Sequence, residues 1–99
     1  MSEKVTSPDG KVQVIRHNIK HVPIGPLSIQ GAIKNLSTDV VSAQINIEFF
    51  DEAGSYMGPA SEIISNLAAG ETRLFEIWGE RVPEQYDIDS YKISSLLTI

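Results

Sequence analysis

From Ala43 to Phe49 apolar and polar residues alternate without a break, with Ala43, Ile45, Ile47 and Phe49 against Gln44, Asn46 and Glu48. A helix would align Val41, Ile45 and Phe49 but throw Ile47 to the opposite side. Period and β-branched content therefore both predict a strand running into Phe50-Asp51. Leu27 to Asn35 alternates in the same way: Leu27, Ile29, Gly31 and Ile33 share a face opposite Ser28, Gln30 and Lys34, a half-buried strand. Glu71 to Trp78 sets Phe75 and Ile77 against Leu74 and Trp78. Tyr91, Ile93, Ser95, Leu97 and Ile99 alternate with Lys92, Ser94 and Thr98, predicting a last strand. Two signals are weaker. Val12 and Val14 alternate with Lys11, Gln13 and Arg16, a short edge strand, and Tyr56 to Leu67 contains Gly58-Pro59. Proline donates no ladder hydrogen bond, so that stretch reads as an edge strand or two short pieces.

Turn chemistry separates these runs. Ser7-Pro8-Asp9-Gly10, Asn35 to Asp39, Asp51-Glu52-Ala53-Gly54 and Leu67-Ala68-Ala69-Gly70 are all turn signals. Residues 18–26 hold two prolines and Gly25 and read as a loop or crossing segment, while Gly79 to Asp87 reads as a polar connection. Six or seven strands at intervals of about 10–15 residues, with no amphipathic helix, predict an antiparallel β-sandwich rather than βαβ units. The expected core is Ile29, Ile33, Ile45, Ile47, Phe49, Phe75, Ile77 and Ile93. Residues 1–10 are expected to form a flexible N-terminal lead, and residues 11–99 a single sandwich domain.

Composition bounds the partners. Ninety-nine residues, 41% hydrophobic and 21% charged, suffice for one modest core. Eight basic against 13 acidic side chains give a net charge of −5, and the bases are scattered singly. Nucleic acid is therefore not an expected partner, nor is direct membrane insertion. With no cysteine, disulfides, thiolate catalysis and cysteine-ligated zinc are excluded.

The order of features across residues 27–77 is more specific. A Gly-x-x-x-Asn strand end (Gly31, Asn35) precedes a long strand running into Asp-x-x-Gly (Asp51, Gly54), and a Leu-x-x-Gly-Glu turn (Leu67, Gly70, Glu71) leads to Phe75. From Lys11 to Ile99 this order resembles the FxLYD domain, a small immunoglobulin-like sandwich found mostly in prokaryotic cell-envelope and secreted proteins. The five positions of the naming motif fall on Ile47-Glu48-Phe49-Phe50-Asp51, where only Asp51 is literal. Ile47, Phe49 and Phe50 keep apolar or aromatic character, but the tyrosine hydroxyl is missing. The resemblance implies a non-catalytic interaction or spacer module with a protein partner, and transfers no catalytic, cofactor-binding or metal residue. Such a module is expected to be a monomer.

Few residues suggest chemistry of their own. His17 and His21 have His-x-x-x-His spacing, but Pro23 opposes a helix and no third ligand follows, so they read as exposed loop histidines. Glu84, Asp87 and Asp89 form the densest acidic cluster, lacking the glycine of a tight calcium loop. Asn35-Leu36-Ser37 matches a glycosylation sequon and equally a capped turn. Trp78, Tyr86, Tyr56 and Phe50 are aromatics that cap the core or anchor a partner. No serine lies in Gly-x-Ser-x-Gly, and no phosphate loop is present. The alternative to the module reading is a small ligand- or calcium-binding domain, or a hydrolase, using the acidic 84–89 loop. An envelope location requires a signal peptide, lipoprotein box or membrane helix upstream of the polar opening; a native start at Met1 would favour the cytoplasm.

Overall fold

The unbroken alternation from Val41 to Phe50 becomes the central strand of a three-stranded sheet, with every odd-numbered residue from Val41 to Phe49 buried. The computed structural model describes residues 3–20, 27–79 and 88–99. These form β1 (Val5–Thr6), β2 (Val12–Lys20), β3 (Ser28–Asn35), β4 (Val41–Phe50), β5 (Tyr56–Leu67), β6 (Thr72–Trp78) and β7 (Ser90–Thr98). One sheet has the order β1-β2-β3-β6 and the other β5-β4-β7, and all their pairings are antiparallel. The two sheets enclose one core of Val12, Val14, Leu27, Ile29, Ile33, Val41, Ala43, Ile45, Ile47, Phe49, Ile64, Leu67, Phe75, Ile77, Ile88 and Leu96. The antiparallel sandwich that the alternation predicts is thus the fold. Among the described residues no helix is long and apolar enough to cross a membrane.

Three features differ from the sequence expectation, each with a local cause, and the expected edge position of β5 is met. Part of the N-terminal lead joins the sheet: Val5 pairs with Val14 and Thr6 with Gln13. Buried Ser7 accepts the Val12 N–H on its hydroxyl at 3.2 Å and donates to Asp9 at 2.7 Å. Next, β2 does not stop short of Asn18. It pairs with β3 as far as Lys20↔Ser28, and β1 takes the edge. Pro59 demotes β5 to the edge, as expected, yet leaves it one continuous strand because its missing donor interrupts no inner ladder. In β7 the register slips between Ser95 and Ile93, leaving Ser94 as the extra residue of a bulge. The slip moves Leu96 into the core at 2% exposure and Leu97 outward at 41%. Ile93, placed in the core by strict alternation, is only partly buried against it.

Polar side chains close the ends and sides of the sandwich. Asn35 is fully buried; its amide nitrogen donates to the carbonyls of Asp39 (2.7 Å), Leu67 (3.0 Å) and Ala68 (3.1 Å). Its oxygen accepts the Ser37 N–H at 2.9 Å and the Ser37 hydroxyl at 2.7 Å. Arg73 reaches from β6 across to β5, donating to the carbonyls of Ser65 (2.6 Å) and Asn66 (3.1 Å) while paired with Glu71 at 2.9 Å. Glu71 also accepts the Ala68 N–H at 2.8 Å. Asp9 accepts hydrogen bonds from Ser7, Lys11 N–H and, at 3.0 Å, the Thr98 hydroxyl of β7.

Two predictions follow from this packing. Leu96→Ala should cost about 2–5 kcal/mol and Leu97→Ala under about 0.5 kcal/mol in urea unfolding. The reverse order would place the bulge elsewhere. The second concerns acid. Hydrogen bonding, first from Ser7, holds the Asp9 carboxyl below its ordinary 3.8, and that from Arg73, then Ala68, holds Glu71 below 4.5. Both favour the ionised form in the folded state, so their contribution is present above those ordinary values and is lost as pH falls through the lowered ones. The urea midpoint should therefore fall in acid, and Asp9→Asn should flatten that fall; an unchanged acid limb in the variant would remove Asp9 from the linkage.

Candidate functional site

The register of β2 slips between Val14 and Arg16, making Ile15 the extra residue. Without that bulge His17 would face outward. With it, His17 lies opposite Gly31, and Gly31 opposite Phe75, in one row across the inner face of the first sheet. Gly31 is required there: a Cβ would lie 2.6 Å from Cζ of Phe75 and 2.3 Å from the Arg16 carbonyl oxygen. The missing side chain lets the Phe75 ring settle over β3.

From the second sheet Tyr91 of β7 meets this row. Its hydroxyl hydrogen-bonds Nδ1 of His17, and the rings meet edge to face at 5.4 Å and 80°. His17 Nε2 lies 2.8 Å from the carbonyl oxygen of Glu3. A carbonyl only accepts, so Nε2 carries the hydrogen, and in the neutral ring Nδ1 accepts from the phenol. Burial raises the Tyr91 pKa above its ordinary 10.0, which keeps the phenol protonated as that donor.

Around this pair lies an open cleft of about 1170 Å³. Phe75, Ile93 and Val5 give it apolar walls, His17 and Tyr91 a polar one, and Glu3 borders it; strand alternation puts the neighbouring side chains of Arg16, Asn18, Glu76 and Lys92 on the outer faces of the sheets. On the opposite, outer face of the first sheet the Glu76 carboxylate accepts hydrogen bonds from Ser28 and Gln30. The cleft therefore combines apolar surface with a few oriented polar groups carried on paired strands, the usual composition of a recognition site.

The structure distributes the other candidate residues as follows. His17 is a half-buried strand residue rather than an exposed loop histidine, and His21 lies outside the described residues. Glu84, Asp87 and Tyr86 also lie outside them. Asp89 is exposed and donates its N–H to the Phe50 carbonyl at 2.8 Å. Among the described residues no three His, Asp or Glu side chains converge as metal ligands. Asn35 and Ser37 form a capped turn that encloses the asparagine amide. Asp51 accepts the N–H groups of Ala53 and Ser55, which is what an Asp-x-x-Gly turn requires, and Gly54 has φ 83°. Phe50 and Tyr56 pack edge to face at 6.2 Å, with Tyr56 exposed; Trp78 is exposed on the outer face of β6 together with Leu74. Tyr91 is the residue that sequence reasoning assigned no chemistry. Its partner is 74 positions away, and its alternation looked like that of any strand residue.

No family model, curated protein or solved structure matches the chain.

Tyr91→Phe withdraws the phenol from His17 but keeps the ring, and should cost about 1 kcal/mol in urea unfolding. Gly31→Ala presses a methyl against backbone and a packed ring, and should cost about 1–3 kcal/mol. A neutral Gly31→Ala would show that Phe75 does not lie over β3.

Proposed function

We propose that this chain is a non-catalytic interaction or spacer module of the prokaryotic cell envelope, of the FxLYD kind. The observation that carries this reading is the cleft itself, whose polar groups are held as fixed recognition partners. His17 is bonded to Glu3 and Tyr91, which fixes the imidazole and the phenol in the cleft wall. Groups so tethered orient a bound partner without rearrangement, which keeps the ordering cost of binding low. A second support comes from the residues of the resemblance. Asn35, Asp51 and Glu71 each hold a turn of the sandwich, so the shared grammar is that of a scaffold. The envelope location rests on the resemblance alone.

An activity screen tests the non-catalytic part. Generic ester, phosphomonoester and glycoside substrates should show no turnover that is lost in either His17→Gln or Tyr91→Phe. Turnover abolished by either substitution, in a variant with an unchanged melting temperature, would make the cleft an active site and sink the module reading.

A further inference from the structure

We infer that the outer face of the first sheet docks an acidic amphipathic helix of a partner protein, anchored by Leu74 and Trp78 and oriented by Arg16 and Lys20. This rests on the interaction reading above and adds a surface on the far side of the sheet from the cleft. The registers of β2, β3 and β6 repeat one trio of side chains on that face. Arg16, Ala32 and Leu74 form one row, and Lys20, Ser28 and Trp78 another. Each row runs from an exposed cation through a small buried residue to an exposed apolar side chain. Four residues along a strand separate the two rows by about 13 Å. Leu74 is 71% exposed and Trp78 46%, and among the described residues no element packs over this face. In the row between them Glu76 is already satisfied within the sheet, accepting from Gln30 and Ser28.

Charge sets the sign of the partner. The chain carries −5 overall, yet this face holds Arg16, Lys20 and Lys34 against Glu76 alone. It thus has three of the seven described bases and one of the ten described acids. None of those three bases has an ion pair among the described residues. A face opposite in sign to the rest of the surface steers a negative partner to itself. Three bases interleaved with amides and one fixed carboxylate are too few and too mixed for the dense stripe that nucleic acid or anionic lipid selects. Leu74 and Trp78 also require apolar side chains from the same partner, and tryptophan and arginine are frequent anchors of protein interfaces.

Backbone pairing sets the partner's conformation. β3 is hydrogen-bonded on both sides, to β2 and to β6, so this face offers no open ladder to an added strand. A segment lying on it must satisfy its own N–H and C=O groups, as a helix does. Apolar residues about seven or eight positions apart on a helix span about 10–12 Å and reach Leu74 and Trp78. Strands β2 and β6 lie about 10 Å apart, which brings Asp or Glu on the flank of that helix over Arg16 and Lys20. The described residues of this chain contain no helix, so a second copy does not supply the segment.

The test uses the full chain, labelled with ¹⁵N, and a displayed library of helical peptides about 18 residues long, randomised on one face. Selected peptides should pair apolar residues with Asp or Glu and shift the amides of β2, β3 and β6. They should bind at least about tenfold more weakly to Leu74→Ser, Arg16→Glu and Lys20→Glu variants whose melting temperatures are unchanged. Replacing the peptide's acids by Lys should restore binding to the Arg16→Glu, Lys20→Glu double variant. Any of five results would overturn the assignment: no peptide selected, selection of basic peptides, shifts or affinity losses confined to other faces, a dimer joined through this sheet, or Arg16-dependent binding to phosphatidylglycerol vesicles instead of peptide. None of these reads turnover, so failure here and failure of the non-catalytic reading are told apart.

Discussion

A carboxamide closed away from water must find a partner for each of its polar atoms, and the site that supplies them to Asn35 is where the chain crosses between sheets. The turn after β3 leads from the first sheet to the second, and the turn after β5 leads back. Asn35 binds both, through Ser37 and Asp39 on one side and Leu67 and Ala68 on the other. Its backbone joins in, donating to the Glu71 carbonyl at 2.9 Å and accepting the Gly70 N–H at 3.0 Å. Buried networks of this kind are strong when complete and costly when one member is lost. The two crossovers are therefore coupled: displacing either leaves donors or acceptors of the other stranded in a dry interior. That coupling sets the level at which β3 and β6 pair, and so the row in which Gly31 meets Phe75.

Between these fixed ends, bulges decide which side chains reach the interior. Where alternation is strict, in β3, β4 and β6, the sequence pattern identified the inward face correctly: Ile29, Ile33, Ile45, Ile47, Phe49, Phe75 and Ile77 are all buried. It failed where one extra residue shifts the phase. Ser94 carries no signal that separates a bulge from an ordinary exposed serine, so Leu96 went unrecognised as core and Leu97 was placed inward. Ile15 shifts β2 in the same way. The strand through Asn18 to Lys20 was hidden for another reason: the nearby prolines and Gly25 suggested a loop, whereas pairing with β3 overrides that local preference.

The cleft was less legible than the fold. His17 stood out only as one of a histidine pair, and a metal reading had to be weighed because spacing along the chain was the sole information. What places His17 in the cleft is the Ile15 bulge, and what gives it a partner is the packing of β7 against β2, neither of which leaves a local mark. Arg16 and Lys92 are two of eight scattered bases, and alternation puts each on the outer face of its own strand.

The seam between β2 and β7 also shows how the fold keeps a polar wall beside its core. Had Gly31 a side chain, the Phe75 ring could not lie over β3, and the contact with the Arg16 carbonyl would force β2 aside. Glycine therefore lets one aromatic ring seal the core from the β6 side, as the 6% exposure of Phe75 reflects. The β2 side is then spanned by His17 and Tyr91, a polar bridge in place of two interlocked apolar side chains. An apolar closure there would bury more surface and contribute more stability, but it would remove the polar wall of the cleft. The hydrogen-bonded pair joins the two sheets while keeping a wall that carries directional donors and acceptors. Stability is concentrated in the interior rows of β3 and β4, and the seam is closed by a polar pair.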